Sequence, residues 1–169
     1  MTISMYRASI PVFKQMLGNL DAILDKAKAY ADAKKIEHTT LLTARLAPDM
    51  FHLIRQVQIA SDQAKGYAAR LAGAEPPKYE DNEKTFEDLK ARIAKTVAFL
   101  DTFKPEQIDG SEERKIVLTM RGEERSFKGI DYLLGLITPN VYFHVAAAYL
   151  ILRHNGLDIG KADFIGGRR

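Results

Sequence analysis

The sequence contains no cysteine. The chain therefore has no disulfide, no thiolate nucleophile and no thiolate metal ligand of its own, which is typical of proteins in a reducing compartment. Its first residues also lack the basic region, the apolar run and the small-residue cleavage site of a secretory signal. We therefore expect a cytoplasmic protein.

The sequence also lacks an excess of charge of one sign. The 25 Lys and Arg residues face 22 Asp and Glu residues, which leaves a net charge of +3, and the two signs are interleaved along the chain. Nucleic-acid-binding proteins usually concentrate Lys and Arg in a stripe, and here no basic cluster stands out beyond Arg168-Arg169. We expect no nucleic-acid partner.

Most known site motifs are absent. The sequence has no glycine-rich phosphate loop followed by Lys and Ser or Thr, no dinucleotide fingerprint, no His-Glu-x-x-His and no EF-hand loop. A Ser-His-Asp triad cannot be assembled from the sequence either. The residues alone therefore establish no reaction, and whether the protein is an enzyme stays open.

Apolar residues at helical spacing are what the sequence does contain. With 169 residues, 46% of them apolar and 28% charged, the chain suits one globular domain over residues 1–169. Spacings of three and four predict three amphipathic helices: the first from Tyr6 to about Ala33, with Pro11 marking its first turn or a kink, the second from Pro48-Asp49 to Gly73, and the third from Phe86 to Leu100, closed by Lys104-Pro105. The segment GAEPPKYEDNE between the second and third helices predicts an irregular surface crossing.

A fourth helix is predicted from Gly129 to Asn155-Gly156, with a bend or restart at Pro139. Its segment 132–152 has no charged residue and is long enough to span a bilayer. It also carries Asn140 and His144, and the amphipathic helices need an apolar partner to cover them. We therefore expect a buried central helix and no membrane span.

These elements predict an all-α four-helix bundle. Alternating apolar residues over 114–128, with a glycine turn at Gly122, predict a short β-hairpin between the third and fourth helices. The glycine-rich tail is expected to be irregular. Because the fourth helix has more apolar surface than one bundle core requires, we also expect a subunit interface in a two-fold homodimer.

His144 is the residue of most chemical interest. An imidazole in the middle of an apolar helix is costly unless it is paired or ligating, so it is either a metal ligand or general base, or a neutral core histidine. The core histidine would bond a neighbouring carbonyl or hydroxyl, such as the partner subunit's Tyr142 or the partner subunit's Tyr149.

A second group of candidate ligands lies at the start of the second helix. Asp49 and His52 are three residues apart and would share a helical face. If that face meets His144, two histidines and a carboxylate converge, which is the ligand set of an open catalytic metal site. The alternative is that Asp49 is a first-turn carboxylate and His52 an exposed residue.

Further polar side chains have simpler interpretations. His154 is expected to cap the end of the fourth helix, and His38 to face water. Three polar residues of the second helix either line a cavity or form its solvated face: Gln56, Gln58 and Asp62. Three tyrosines are expected in the core or an interface before a ligand pocket: Tyr132, Tyr142 and Tyr149.

Four stretches carry a resemblance over nearly the whole chain: MTISMYRASIPVF, LAPDMFHLIRQVQIASDQAK, PNVYFHVAAAYLILRHNG and DFIGG. They resemble an uncharacterised domain-of-unknown-function family grouped with the DinB/YfiT-like metalloenzymes. The resemblance implies an up-down four-helix bundle, commonly a dimer. It also implies a divalent metal held by one histidine of the second helix and a His-x-x-x-His pair of the fourth. Some relatives transfer thiols such as bacillithiol, mycothiol or glutathione.

The chain departs from the implied metal motif at one position. The motif of the fourth helix begins at His144, but Ala148 stands where the second histidine would be. His52 matches the ligand of the second helix, and Asp49 or Asn140 would have to complete a zinc or nickel site.

Two functions follow as hypotheses. The first is a dimeric small-ligand-binding or interaction protein with a degenerate metal site. The alternative is a divalent-metal-dependent thiol transferase or hydrolase in which His52, His144 and Asp49 hold the ion, which would lower the pKa of a bound thiol or water. The missing histidine favours the first.

Overall fold

The computed structural model describes residues 3–120 and 122–167, which are mostly helical with one small antiparallel sheet. Arg168-Arg169 and Arg121 lie outside the described residues. The elements in chain order are α1 Ile10–Lys34, α2 His38–Leu42, α3 Leu53–Leu71, α4 Phe86–Leu100, α5 Pro105–Ile108, β1 Lys115–Met120, β2 Glu123–Lys128, α6 Gly129–Asp131, a π-helical segment Tyr132–Ile137, α7 Thr138–His154 and α8 Lys161–Ile165.

The four long helices α1, α3, α4 and α7 enclose the core. Helix α3 packs against α7 and α4, and α1 packs against the same two helices from the other side. Two contacts show that α3 runs antiparallel to the π-helical segment and α7. Gln56 bonds His144 of α7 at one end, and the ring of Tyr67 stacks on that of Tyr132 in the π-helical segment, 6.1 Å away, near the other. This packing removes the apolar face of each helix from water; on α1, for example, Leu20 is fully buried.

The first and second long helices begin later than their patterns predict. Helix α1 begins at Ile10, so Pro11 lies in the first turn, where its missing N–H costs nothing. Helix α3 begins at Leu53, so the predicted start at Pro48-Asp49 is wrong. His52 is instead the N-cap of α3, with an extended backbone and a side chain that accepts a hydrogen bond from Arg55 N–H.

Three short helices were not predicted by the spacing of apolar residues. Helix α2 buries Leu41 and Leu42. Helix α5 starts at Pro105, where the sequence predicts only the end of the third helix, and α8 lies in the tail that the sequence predicts to be irregular. Segments of four or five residues carry too little periodicity to be recognised, and tertiary contacts stabilise them. Helix α8, for example, is held by a hydrogen bond from the Asn19 side chain to the Phe164 carbonyl.

Strands β1 and β2 pair in register from Lys115 opposite Lys128 to Met120 opposite Glu123, and Gly122 in the connection has a φ of 84°, which suits glycine. The chain then enters the π-helical segment before α7. Pro139 lies in the first turn of α7 and has no N–H to donate to the preceding turn. The sequence predicts a bend or restart of the helix at Pro139. The structure shows a π-helical segment just ahead of the proline and an α-helix from Thr138 onward.

The segment Gly129–His154 is long and apolar enough to cross a membrane by length and composition. Its C-terminal part, α7, packs against α3 and α1 and contributes Val141, Val145 and Ile151 to the core. A core helix passes the same test of length and composition, so the apolar run needs no membrane to explain it.

The crossover segment, residues 74–85, has no regular structure and is tied to α3 and α4 by Arg92. The Arg92 side chain is only 2% exposed. Its Nη2 lies 2.8 Å from an Asp62 oxygen and 3.1 Å from an Asp81 oxygen, and its Nη1 lies 2.8 Å from a Glu83 oxygen. A cation buried this deeply requires such partners, so Arg92 fixes the path of the crossover segment.

Two polar residues of α3 extend the same network. The buried side chain of Gln58 donates to Glu83 at 2.8 Å, and Asp62 accepts from both Arg92 and Lys65. The alternative that Gln58 forms part of a solvated face is therefore wrong, because its side chain is buried and anchors the crossover segment. Asp62 remains partly exposed and pairs with Arg92 of α4.

We predict that Arg92→Ala lowers the free energy of unfolding by about 3 kcal/mol, because it leaves the largely buried Glu83 carboxylate without its cation. Lys128→Ala is the matched control, since the Lys128–Glu113 pair is exposed on both sides and an ion pair in water contributes little to stability. Urea denaturation of the three proteins measures both values. Equal losses in the two variants would contradict the role of Arg92.

Candidate functional site

His144 lies on the side of α7 that faces α3 and is 8% exposed. Its Nδ1 is 2.6 Å from Oε1 of Gln56, a buried side chain of α3. The Gln56 Nε2 in turn donates to the Phe51 carbonyl at 2.9 Å. His144 is therefore bonded to a side-chain carbonyl of its own chain, in place of the tyrosine hydroxyl of a partner subunit that we had considered.

The surroundings of His144 keep its ring neutral. Burial, and then the positive charge of Arg55, lower the pKa of His144 to about 4. His52 lies at the same end of α3, and burial followed by Arg45 and Arg55 lowers the pKa of its ring as well. Both imidazoles are therefore uncharged at neutral pH, the form in which histidine binds metals and accepts hydrogen bonds.

His52 and Asp49 do not share a helical face, because α3 begins after both. The Nδ1 of His52 accepts the Arg55 N–H at 3.3 Å and so satisfies one of the free donors at the start of α3. Asp49 lies in the preceding turn and is exposed. The predicted convergence of these two residues on one face is therefore wrong.

The described side chains do not fit a three-ligand metal centre. Within residues 3–120 and 122–167, no group of three or more His, Cys, Asp or Glu side chains is placed to hold an ion. Ala148, one turn beyond His144, is buried and offers no donor, and the Asn140 amide donates to the Leu136 carbonyl. A metal site built from His144, His52 and Asp49 stays a prediction, and it would require a rearrangement at the start of α3.

Residues 5–165 match the family described as a domain of unknown function, DUF1993. The chain belongs to this family. A crystal structure of a DinB family member protein from Shewanella denitrificans is similar to it, with 41% sequence identity over 96% of this chain and 92% of that chain, and a TM-score of 0.88. A search of curated proteins finds no match. The resemblance seen in the sequence is thus confirmed at the level of the family.

The remaining histidines of this DUF1993 chain lie apart from His144. The Nε2 of His38 is 2.7 Å from an Asp32 oxygen, so His38 is paired and does not simply face water. His154 is the exposed last residue of α7, and Asn155 occupies the cap position that we had assigned to it.

The three tyrosines have different environments. Tyr132 is buried and its hydroxyl accepts from Arg70 at 3.1 Å, Tyr149 is half-buried beside α8, and Tyr142 is exposed on α7. Tyr132 is therefore a core residue, as one of its interpretations expected, and Tyr142 is free to meet a partner surface.

Sequence reasoning missed a polar cleft of about 600 Å³ between the crossover segment and α4, whose lining includes Tyr79, Arg92 and Lys95. The amino groups of Lys65 and Lys95 lie 3.8 and 4.2 Å from the centre of the Tyr79 ring, which holds the ring by cation–π attraction. One signal was present in the sequence: Arg92 follows Leu89 by three residues, so it falls on the apolar side of its helix.

We predict that stability falls as the pH decreases from about 6.5 to about 4, because in this range the unfolded chain protonates His144 and the folded protein does not. His144→Gln should flatten this part of the profile. Urea denaturation of the two proteins at several pH values, with chelator present, gives both profiles. Coincident slopes for the wild-type protein and His144→Gln would contradict the prediction.

Proposed function

We propose that this protein is a cytoplasmic homodimer on a DinB-like, up-down four-helix bundle, and that it serves as a small-ligand-binding or interaction protein with a degenerate metal site. Membership of DUF1993 and the similarity to a DinB family member support the scaffold. One observation carries the proposal of an interaction surface: an uncovered apolar face on α7.

This face, which we term the α7 face, consists of Tyr142, Ala146 and Leu150. The three residues are four apart and therefore lie on the same side of the helix. Tyr142 and Leu150 are large exposed hydrophobic residues. Of the most apolar 18-residue stretch of Gly129–His154, 39% is buried inside the protein, so much of the apolar surface is left for a partner.

An apolar groove of about 250 Å³ continues the α7 face toward α8. Ala146 and Leu150 form one wall, and Phe164 of α8 forms another. Lys161 at the rim is the one charged residue of this lining. The groove enlarges the apolar surface and gives it a shape into which a side chain of a partner fits.

A second copy of the chain is the partner that this surface suits best. A two-fold interface brings the same patch of both subunits together, so the patch must be complementary to itself. The α7 face contains no charged residue, and two copies can pack without burying an unpaired charge. The dimers implied by the family resemblance point to the same arrangement.

We predict that Leu150→Glu converts the dimer into a monomer, because it places a carboxylate of each subunit in an otherwise apolar interface. Leu150 is 44% exposed in the single chain, so the substitution should leave the fold intact. Val117→Glu is the matched control, since Val117 is 49% exposed on β1, away from the α7 face.

Sedimentation equilibrium at micromolar concentration distinguishes a monomer of 19.0 kDa from a dimer of twice that mass. The wild-type protein and Val117→Glu should be dimers, and Leu150→Glu a monomer with an unchanged circular dichroism spectrum. A monomeric wild-type protein, or a dimeric Leu150→Glu variant, would refute the proposed interface.

The alternative function is a divalent-metal-dependent thiol transferase or hydrolase with zinc or nickel held by His52, His144 and Asp49. One observation favours it: Nδ1 of His144 is bonded to Gln56, and metal-binding histidines usually hold their second nitrogen in this way. To complete the site, His52 would have to turn from its role as the cap of α3, and Asp49 would have to move in from the exposed turn.

A further inference from the structure

The orientation of the Gln56 amide follows from its two neighbours. Its Nε2 lies 2.9 Å from the Phe51 carbonyl, and its Oε1 lies 2.6 Å from Nδ1 of His144. Turning the amide around would place its oxygen against the Phe51 carbonyl, and two acceptors cannot share a hydrogen bond. Oε1 therefore faces the ring, and since it can only accept, Nδ1 must carry the proton.

The opposite ring nitrogen is left with a lone pair. Nε2 of His144 has no hydrogen-bond partner within residues 3–120 and 122–167, and it is not among the fully enclosed polar atoms of that part of the chain. We infer that Gln56 is a positioning residue that holds neutral His144 in the Nδ1–H tautomer and presents Nε2 as the acceptor for one O–H or N–H group of an uncharged small molecule.

Nε2 of His144 is the one acceptor that this group of residues offers to a ligand. Ala148 supplies no second nitrogen on α7, and His52 uses its Nδ1 to cap α3. Two hydrocarbon side chains of similar shape could replace Gln56 and His144 with little loss of stability, so stability alone does not account for the pair, whereas the outward lone pair gives it a use.

The groups around His144 limit the chemistry of the ligand. The exposed Phe143 ring meets the His144 ring edge-on at 5.2 Å between centroids. Arg55 would repel a cation, and its guanidinium is already held by Asp81 at 2.5 Å, with which an anion would have to compete. These groups favour an uncharged aromatic molecule with one donor, such as a phenol.

Nitrogen NMR of the imidazole tests the tautomer directly. In 15N-labelled wild-type protein, long-range proton–nitrogen correlations should show a protonated Nδ1 and an unprotonated Nε2 for His144. In Gln56→Leu the proton should move to Nε2, because a donor at Nδ1 would be buried without a partner while Nε2 is still reached by solvent.

Gln58→Leu is the matched control for these spectra. Gln58 is the other buried glutamine of α3, but it bonds Glu83, so its loss should leave the tautomer of His144 unchanged. Wild-type protein with the proton on Nε2 would overturn the inference without any variant. So would a folded Gln56→Leu protein that retains the Nδ1 proton.

Phenol and anisole test the acceptor role. The two probes share an aromatic ring and an oxygen, but anisole has no O–H. Phenol should shift the Nε2 resonance saturably, anisole should not, and Gln56→Leu should bind phenol about tenfold more weakly, the effect of roughly one hydrogen bond. Equal shifts from both probes, or no saturable shift from phenol, would overturn the inference. Neither outcome bears on the dimer, because the α7 face does not include Phe143 or His144.

Discussion

Two buried glutamines on different sides of α3 fix its position in the bundle. A buried amide must find a hydrogen-bond partner, and α3 directs Gln56 toward α7 and Gln58 toward the crossover segment. Gln56 meets His144 on one side, while Gln58 and Asp62 meet the crossover segment and Arg92 on the other. The position of α3 is thereby specified more sharply than apolar packing alone would achieve.

Arg55 connects these two sides. Its guanidinium contacts Asp81 of the crossover segment and Gln58, and its charge contributes to the lowered pKa values of His52 and His144. The electrostatics around the two imidazoles therefore depend on how the crossover segment is held. A bundle with a purely apolar α3 would offer neither a fixed crossover segment nor a neutral histidine with an outward lone pair.

Features encoded by neighbouring residues could be predicted from the sequence, and features that depend on distant contacts could not. The long helices and the glycine turn at Gly122 are encoded in neighbouring residues, and they were predictable from spacing. The predicted start of α3 is wrong because Pro48-Asp49 has the residue types of a helix start. In the structure the Leu53 N–H donates to the Ala44 carbonyl at 3.0 Å, and the helix begins only at Leu53. The role of Gln56 was not predictable, since its partner lies 88 residues away and only the tertiary structure brings them together. Family membership does not supply that contact either, because fold and site are separate questions.

We propose that this DUF1993 chain keeps a DinB-like scaffold on which its histidines do not hold a metal ion. The most direct measurement is the metal content per subunit of untagged protein purified without chelator and then incubated separately with zinc and nickel. We expect far less than one ion per subunit, with no difference between the wild-type protein and His144→Ala, because Ala148 offers no ligand and His52 caps α3. One ion per subunit that is lost in His144→Ala would contradict it and establish the metalloenzyme alternative as the better account.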